Sequence, residues 1–274
     1  MPLPDEYVLG QSHDAAERLA IQDAHFAEPS ERLLDQLALK PSDRVVELGC
    51  GPGGFTKRIM ARLGAKGVVI GVDRSQGLLD QASTRLGPCG PAKFEPIVGD
   101  IASLGPWLHD ADVVVGRAVL HHVPMAEFVI GRLRSKLRPG TRVGFIEPDF
   151  RSPLARIAYL QATGRPEFAP LANWAEALNR LYLSRQISPA VGATLAASFD
   201  AAGYRDVSSA RVNFPSDGIV IRNMVLVYDE IRDVLDSLGI MKASEVHEQQ
   251  RLLEALPQGD LPAVWGVFLV NGVV

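Results

Sequence analysis

Cysteine is scarce in this sequence: Cys50 and Cys89 are the only two among 274 residues. Two thiols make neither a disulfide framework nor a cysteine-rich metal cluster, so no metal is expected. No stretch approaches the ~20 consecutive apolar residues that cross a bilayer, and no basic segment followed by an apolar run marks the N-terminus. A soluble protein of a reducing, cytoplasmic compartment is the expectation, with no membrane partner. Charge of one sign is not concentrated anywhere, the net charge being −4 with acidic and basic residues interspersed. A nucleic-acid partner normally leaves a basic stripe, so none is expected. Internal repeats and low-complexity tracts are also missing. What the chain does have is apolar material, 47% of its residues, enough to bury a full core. That core belongs either to one large α/β domain with an insertion or to two small domains.

The chain is organised around Val45-Val46-Glu47-Leu48-Gly49-Cys50-Gly51-Pro52-Gly53-Gly54. Apolar residues lead to an acid, then to a glycine-packed turn, and Phe55 to Met60 follow at helical spacing. This is a strand, a tight turn and a helix, the opening of a parallel α/β sheet with a ligand over the turn. Gly49, Gly51 and Gly54 satisfy the dinucleotide pattern G-x-G-x-x-G, so the glycines locate a site without naming its ligand. Glu47 helps to name it. A pyrophosphate bound by backbone N–H groups at a helix N-terminus would be repelled by a carboxylate at the strand end, whereas an ammonium or sulfonium would be attracted. S-adenosylmethionine carries both cations and no phosphate. Glu-Leu-Gly-Cys-Gly-Pro-Gly-Gly resembles motif I of the class I S-adenosylmethionine-dependent methyltransferases. The competing readings are a turn that binds nothing and a site for NAD or NADP.

Asp73 ends a second buried strand, Val68 to Asp73, and lies 22 residues beyond Gly51. An acid at that spacing accepts the hydroxyls of an adenosine ribose, equally well for either cofactor. Asp73 or Ser75 is also placed to cap a helix over Gln76–Leu86. A weak strand near Lys93-Phe94-Glu95 is expected at an edge, because Pro96 cannot donate to a ladder. The resemblance extends over nearly the whole chain, most strongly over residues 43–149, and implies further contacts. Glu47, Gly49, Gly51, Gly53, Asp73 and Arg74 would bind the cofactor. Asp100 would accept from the adenine amino group, with Ile101 covering the ring, and the main chain near Arg117 would face the methionine end. Tyr7-x-Leu9-Gly10 and the Glu17 to Gln22 segment are similar to the leader of bacterial small-molecule methyltransferases. Tyr7 and Gln22 are therefore candidate contacts on an arm that folds over the cofactor.

Asp112 to Gly116 is a fourth strand, apolar throughout and so buried on both faces. It leads to His121-His122, beside the ligand crevice. Adjacent side chains in a turn diverge, so one imidazole is expected to reach the acceptor, and which one is left open. Asp149, just past the fifth strand (142–147), is the candidate carboxylate behind that imidazole. Residues 151–190 are extra to the alternating pattern and are expected to form a helical lid, with Trp174 and Tyr182 available to stack on a ring. A sixth strand near 206–214, helices over 219–238 and 243–256, and a last strand over 263–270 complete the pattern.

The resemblance implies a Rossmann-like, seven-stranded, mostly parallel sheet. Its seventh strand would be antiparallel and lie between the fifth and sixth, with helices on both faces and a helical lid insertion. The expected divisions are an arm (1–40), a cofactor-binding core (41–150), the lid (151–190) and the C-terminal part of the sheet with a helical insertion (191–274). The implied activity is transfer of a methyl group from S-adenosylmethionine to an oxygen or carbon, less readily a nitrogen, of a small metabolite. The alternatives are an NAD(P)-dependent oxidoreductase and a protein that uses the fold for another reaction, such as a cyclisation. Oligomeric state is left open, a homodimer included.

Overall fold

A computed structural model describes residues 13–87, 89–214, 217–257 and 265–274. The chain falls into two compact units. The first is a sheet unit of residues 27–148, 191–212 and 267–274. The second is a helical unit whose described residues lie in 13–26, 149–190 and 213–266.

The sheet unit contains β1 (Arg44–Leu48), β2 (Val68–Asp73), β3 (Lys93–Val98), β4 (Val113–Arg117), β5 (Arg142–Pro148) and all but one terminal residue each of β6 (Arg205–Asn213) and β7 (Gly266–Val273). Their order is β3-β2-β1-β4-β5-β7-β6. The β1, β2, β3, β4 and β5 pairings are parallel, whereas β7 runs antiparallel to β5 from Arg142↔Val273 to Pro148↔Val267. Continuous apolar runs form the middle of the sheet because both of its faces are covered. Val45, Val46, Ile70, Val113, Val114, Val115, Val143 and Phe145 are fully buried, each contributing about 1.5–3 kcal/mol. Pro96 sits in β3 at the sheet edge, where a missing donor costs little.

The chain's first two helices, α1 (His13–His25) and α2 (Ala27–Leu37), part company, α1 joining the helical unit and α2 the sheet unit. The arm of residues 1–40 is thus not one element. Leu33, Leu34 and Leu37 of α2 are buried, and a Cβ at Gly144 of β5 would lie 2.9 Å from Leu33 and 3.0 Å from Leu37. Glycine at 144 therefore sets how closely α2 approaches the sheet. The Arg142 guanidinium ends that helix by donating to the carbonyls of Leu37 at 2.6 Å and Ala38 at 2.7 Å. The other helices of this unit are α3 (Gly54–Ala61), α4 (Gln76–Leu86), α5 (Ala126–Lys136) and α8 (Val191–Ala202). The last strand lies three residues later than its apolar run suggests, because its register is set by pairing along β5 as far as Val273.

The helical unit gathers α1, α6 (Ser152–Ala162), α7 (Ala169–Ser184), α9 (Gly218–Ser237) and α10 (Ala243–Glu254) around its own core. Residues 151–190 therefore share a core with 213–266 rather than standing alone. Trp174 and Tyr182 are buried there and are not open faces. Trp174 meets Trp265 edge-on at 4.7 Å and donates its Nε1–H to the Met224 carbonyl, while Tyr182 stacks on Phe150 at 5.4 Å. Arg18 of α1 is 1% exposed and donates to Glu230 of α9 at 2.9 Å. Among the described residues, no helix is long and apolar enough to cross a membrane, and no three His, Cys, Asp or Glu side chains are grouped to hold a metal.

Candidate active site

The site is assembled in the sheet unit from loops leaving the carboxyl ends of neighbouring parallel strands, where an open α/β sheet binds its ligand. The glycine turn after β1 is pinned to β2. Gly49 N–H donates to the Val72 carbonyl at 2.7 Å, and Gly51 N–H donates to Asp73 Oδ2 at 2.9 Å. Gly49 has φ +69°, and a Cβ there would stand 2.3 Å from Val119 Cγ2, so both conformation and space demand glycine. Gly51 also has a positive φ of +51°, but nothing lies within 4 Å of where its Cβ would be. The main chain at Gly51 thus faces room that a ligand can use.

Asp73 braces this turn through Oδ2, while its Oδ1 accepts from the Ser75 N–H of its own loop at 3.0 Å. Each oxygen keeps a lone pair for a hydroxyl. The helix-capping task falls to Ser75, whose Oγ accepts from the Leu78 N–H at 3.3 Å. Arg74 and Asp100, from the loops after β2 and β3, face each other at 3.6 Å, both half-exposed, so their attraction is small. Asp100 also accepts from the Ala102 N–H at 2.9 Å, and Ile101 beside it is buried.

Glu47 is 2% exposed, and its Oε2 accepts from Thr56 of α3 at 2.6 Å. Its charge is felt at the turn. Burial, followed by the negative fields of Glu47 and Asp73, pushes the Cys50 thiol well above its ordinary range. A field that resists a thiolate stabilises a cation in the same place. The residues present therefore fit a ligand that carries an ammonium and a sulfonium, and not a pyrophosphate.

β4 and β5 supply the other half. Ala118, directly after β4, has φ +52°, a left-handed conformation uncommon for a residue with a Cβ, and its N–H donates to the Ile146 carbonyl at 2.8 Å. A short turn, Leu120–His122, follows and carries both histidines. Their ring centroids are 3.9 Å apart, and His121 is the more buried. The carboxylate on His121 belongs to Glu147: Oε2 lies 2.9 Å from Nδ1 and also accepts the His121 N–H at 3.2 Å. Glu147 Oε1 accepts from the Val119 N–H at 2.9 Å and from the Leu120 N–H at 2.8 Å. Burial pushes the Glu147 carboxyl up to about 7, against the pull of these three main-chain donors.

The role expected of Asp149 thus goes to Glu147. Asp149 belongs to the helical unit and starts α6, its carboxylate accepting from the Arg151 and Ser152 N–H groups and from the Ser152 hydroxyl. The two acids are two residues apart, and the one still on the buried strand turns toward the histidine loop. Sequence reasoning missed Glu147, although one signal was present: an acid closes the apolar run Val143-Gly144-Phe145-Ile146, as Glu47 and Asp73 close theirs. The Arg117 side chain turns away along α2 and α3, donating to Ser30 at 3.3 Å and lying over the Phe55 ring at 5.3 Å. Gln22 belongs to the helical unit, where it accepts from Arg18 at 3.1 Å. Tyr7 lies outside the described residues.

Residues 45–140 match the family model described as a methyltransferase domain. The chain is 35% identical over 156 residues to a trans-aconitate 2-methyltransferase of Variovorax paradoxus, a match covering 57% of this chain and 58% of that one. It therefore spans little more than half the length of that relative. A trans-aconitate 2-methyltransferase of Rhizobium leguminosarum bv. trifolii is 31% identical over 189 residues, 68% of each chain. Among solved structures, a cyclopropane synthase of Mycobacterium tuberculosis shares the fold. Its TM-score is 0.60 at 14% identity, with 90% of this chain and 84% of that one covered. These matches do not favour the oxidoreductase or the non-methyl-transfer reading. With its glycine turn and the acids closing β1 and β2, the chain belongs to the class I S-adenosylmethionine-dependent methyltransferases.

Proposed function

We propose that the protein transfers a methyl group to an oxygen or carbon atom of a small metabolite, with His121 taking up the acceptor's proton. S-adenosylmethionine, when bound, supplies a methyl group on a sulfonium, a leaving group that is already activated. The chain's own tasks are to hold that cofactor and to align the acceptor in a dry pocket. Asp73 accepts the ribose hydroxyls, Asp100 accepts the adenine amino group, and Ile101 covers the ring. Glu47, Gly49, Gly51, Gly53, Arg74 and the main chain at Arg117 complete the cofactor site. Glu47 acts through its field, since its carboxylate is buried against Thr56.

The observation that carries the proton-uptake role is the 2.9 Å contact between His121 Nδ1 and Glu147. With Nδ1–H directed at a carboxylate, Nε2 keeps the lone pair that a base needs, and an imidazole is basic near neutrality. His122 is packed on that ring, the two centroids 3.9 Å apart.

A second reading is favoured by the relatives' names. Trans-aconitate is a carboxylic acid, and an ionised carboxylate attacks without losing a proton. If this chain acts on such an acid, the product is a methyl ester and neither histidine serves as a base. The test is turnover of labelled S-adenosylmethionine with trans-aconitate and with a panel of alcohols and phenols, for the wild type and for His121→Ala and His122→Ala. Proton uptake by His121 predicts a ~10²–10⁴-fold loss in His121→Ala with S-adenosylhomocysteine still bound. Undiminished turnover in that variant overturns the base assignment, and an ester product with trans-aconitate establishes the second reading.

A further inference from the structure

Glu147 is 0% exposed on a strand hydrogen-bonded on both sides, to β4 and to β7. A carboxylate in such a place costs several kcal/mol unless its oxygens are well supplied with donors. Here its oxygens meet one stretch of three residues: the N–H groups of Val119, Leu120 and His121 donate to them, and the ring nitrogen Nδ1 of His121 lies within hydrogen-bond distance. The preceding residue, Ala118, is held in its left-handed conformation by the carbonyl of Ile146, the neighbour of Glu147 on the same strand. Two successive residues of β5 therefore fasten the whole of Ala118–His121. α8 closes against the same point: a Cβ at Gly192 would stand 2.5 Å from the Glu147 carbonyl oxygen. A side chain serving packing alone would be apolar here, because a well-packed apolar residue costs no desolvation.

We infer that Glu147 is a positioning residue that sets, through one carboxylate, both the path of the Ala118–His121 main chain and the Nδ1–H tautomer of His121. This rests on the methyl-transfer reading in one respect, that the loop after β4 borders the cofactor and the acceptor. The physical consequence is that cofactor binding and the orientation of the imidazole share a single fastening. An ionised carboxylate only accepts hydrogen bonds, so Nδ1 must donate and Nε2 is left as the acceptor. Replacing the carboxylate by an amide changes this. The amide oxygen still serves the Val119 and Leu120 N–H groups, but its NH2 group confronts Nδ1 with a donor.

The experiment uses the full chain labelled with ¹⁵N-histidine, with His121 assigned by its loss in His121→Asn. At pH 8 the wild type is expected to show a protonated Nδ1 and an unprotonated Nε2 at His121. Glu147→Gln should invert that pattern and weaken S-adenosylhomocysteine binding by about 3- to 30-fold, or ~0.6–2 kcal/mol. Glu147→Asp keeps a carboxylate but draws it back by one methylene. It should retain the Nδ1–H form while binding S-adenosylhomocysteine more weakly, because the loop is displaced. An Nε2–H tautomer in the wild type overturns the inference, as does a Gln variant that changes neither tautomer nor affinity. If Glu147→Gln fails to fold, the wild-type tautomer and Glu147→Asp decide the matter. Neither readout involves methyl transfer. An active His121→Ala variant alongside a tautomer switch in Glu147→Gln would remove the base assignment and leave the positioning role standing.

Discussion

Asp73→Asn tests the cofactor site most directly. In the free protein, Oδ2 receives the Gly51 N–H at 2.9 Å and Oδ1 the Ser75 N–H at 3.0 Å. An amide has a single oxygen, so one of these N–H groups loses its acceptor and faces an NH2 group. That costs about 1–3 kcal/mol of stability where the donor is buried. If Asp73 holds the ribose as proposed, one hydroxyl simultaneously loses a charged acceptor, worth about 1.5–3 kcal/mol, or about 10- to 150-fold in Kd for S-adenosylhomocysteine. Calorimetric titration measures the affinity, and thermal unfolding measures the stability separately. Ser75→Ala is the control, because it removes the cap on Leu78 of α4 while sparing the carboxylate. It should cost about 1 kcal/mol of stability and leave the affinity nearly unchanged. If Asp73→Asn lowered the melting temperature but bound S-adenosylhomocysteine as tightly as the wild type, Asp73 would be a brace for the glycine turn and nothing more.

Three further outcomes follow from the same geometry. Gly49→Ala combines a positive φ with a Cβ 2.3 Å from Val119 Cγ2, so it should destabilise by about 2–4 kcal/mol. Adding Val119→Ala should recover the steric part only, and full recovery in chemical denaturation would contradict the conformational part. Glu147, whose carboxyl is pushed up from 4.5 to about 7, favours folding in its protonated form. Its contribution is fully present below pH 4.5 and is lost as the pH rises through 7, a change of about 3 kcal/mol. Urea unfolding of wild type and Glu147→Gln across pH 4.5–8 should show the wild type losing ground as pH rises, and a constant difference would refute this. In the helical unit, Arg18→Ala removes one partner of a buried ion pair whose Glu230 side chain is 2% exposed, and should cost about 3–5 kcal/mol in thermal unfolding. Arg18→Met with Glu230→Leu should restore most of that, and a single variant costing under ~1 kcal/mol would mean that the ion pair is not buried in solution.

Local spacing alone determined the succession of strands and helices, the glycine turn after β1 and the acids that close β1 and β2. Each is a property of a few consecutive residues: period-two or continuous apolar runs, helix caps, and a turn only glycine accommodates. The seven-strand order, with β7 between β5 and β6, was legible from the same pattern together with the family resemblance. Tertiary structure decided matters that depend on which distant segment faces a given side chain. It put Glu147 rather than Asp149 on His121, because only the residue still within β5 is directed at the loop leaving β4. It separated α1 from α2 and gave residues 151–190 a common core with 213–266, since apolar helix faces record that they are buried but not against what. It also buried Trp174 and Tyr182 in that core, where a sequence pattern cannot distinguish an aromatic that packs on its own chain from one reserved for a ligand.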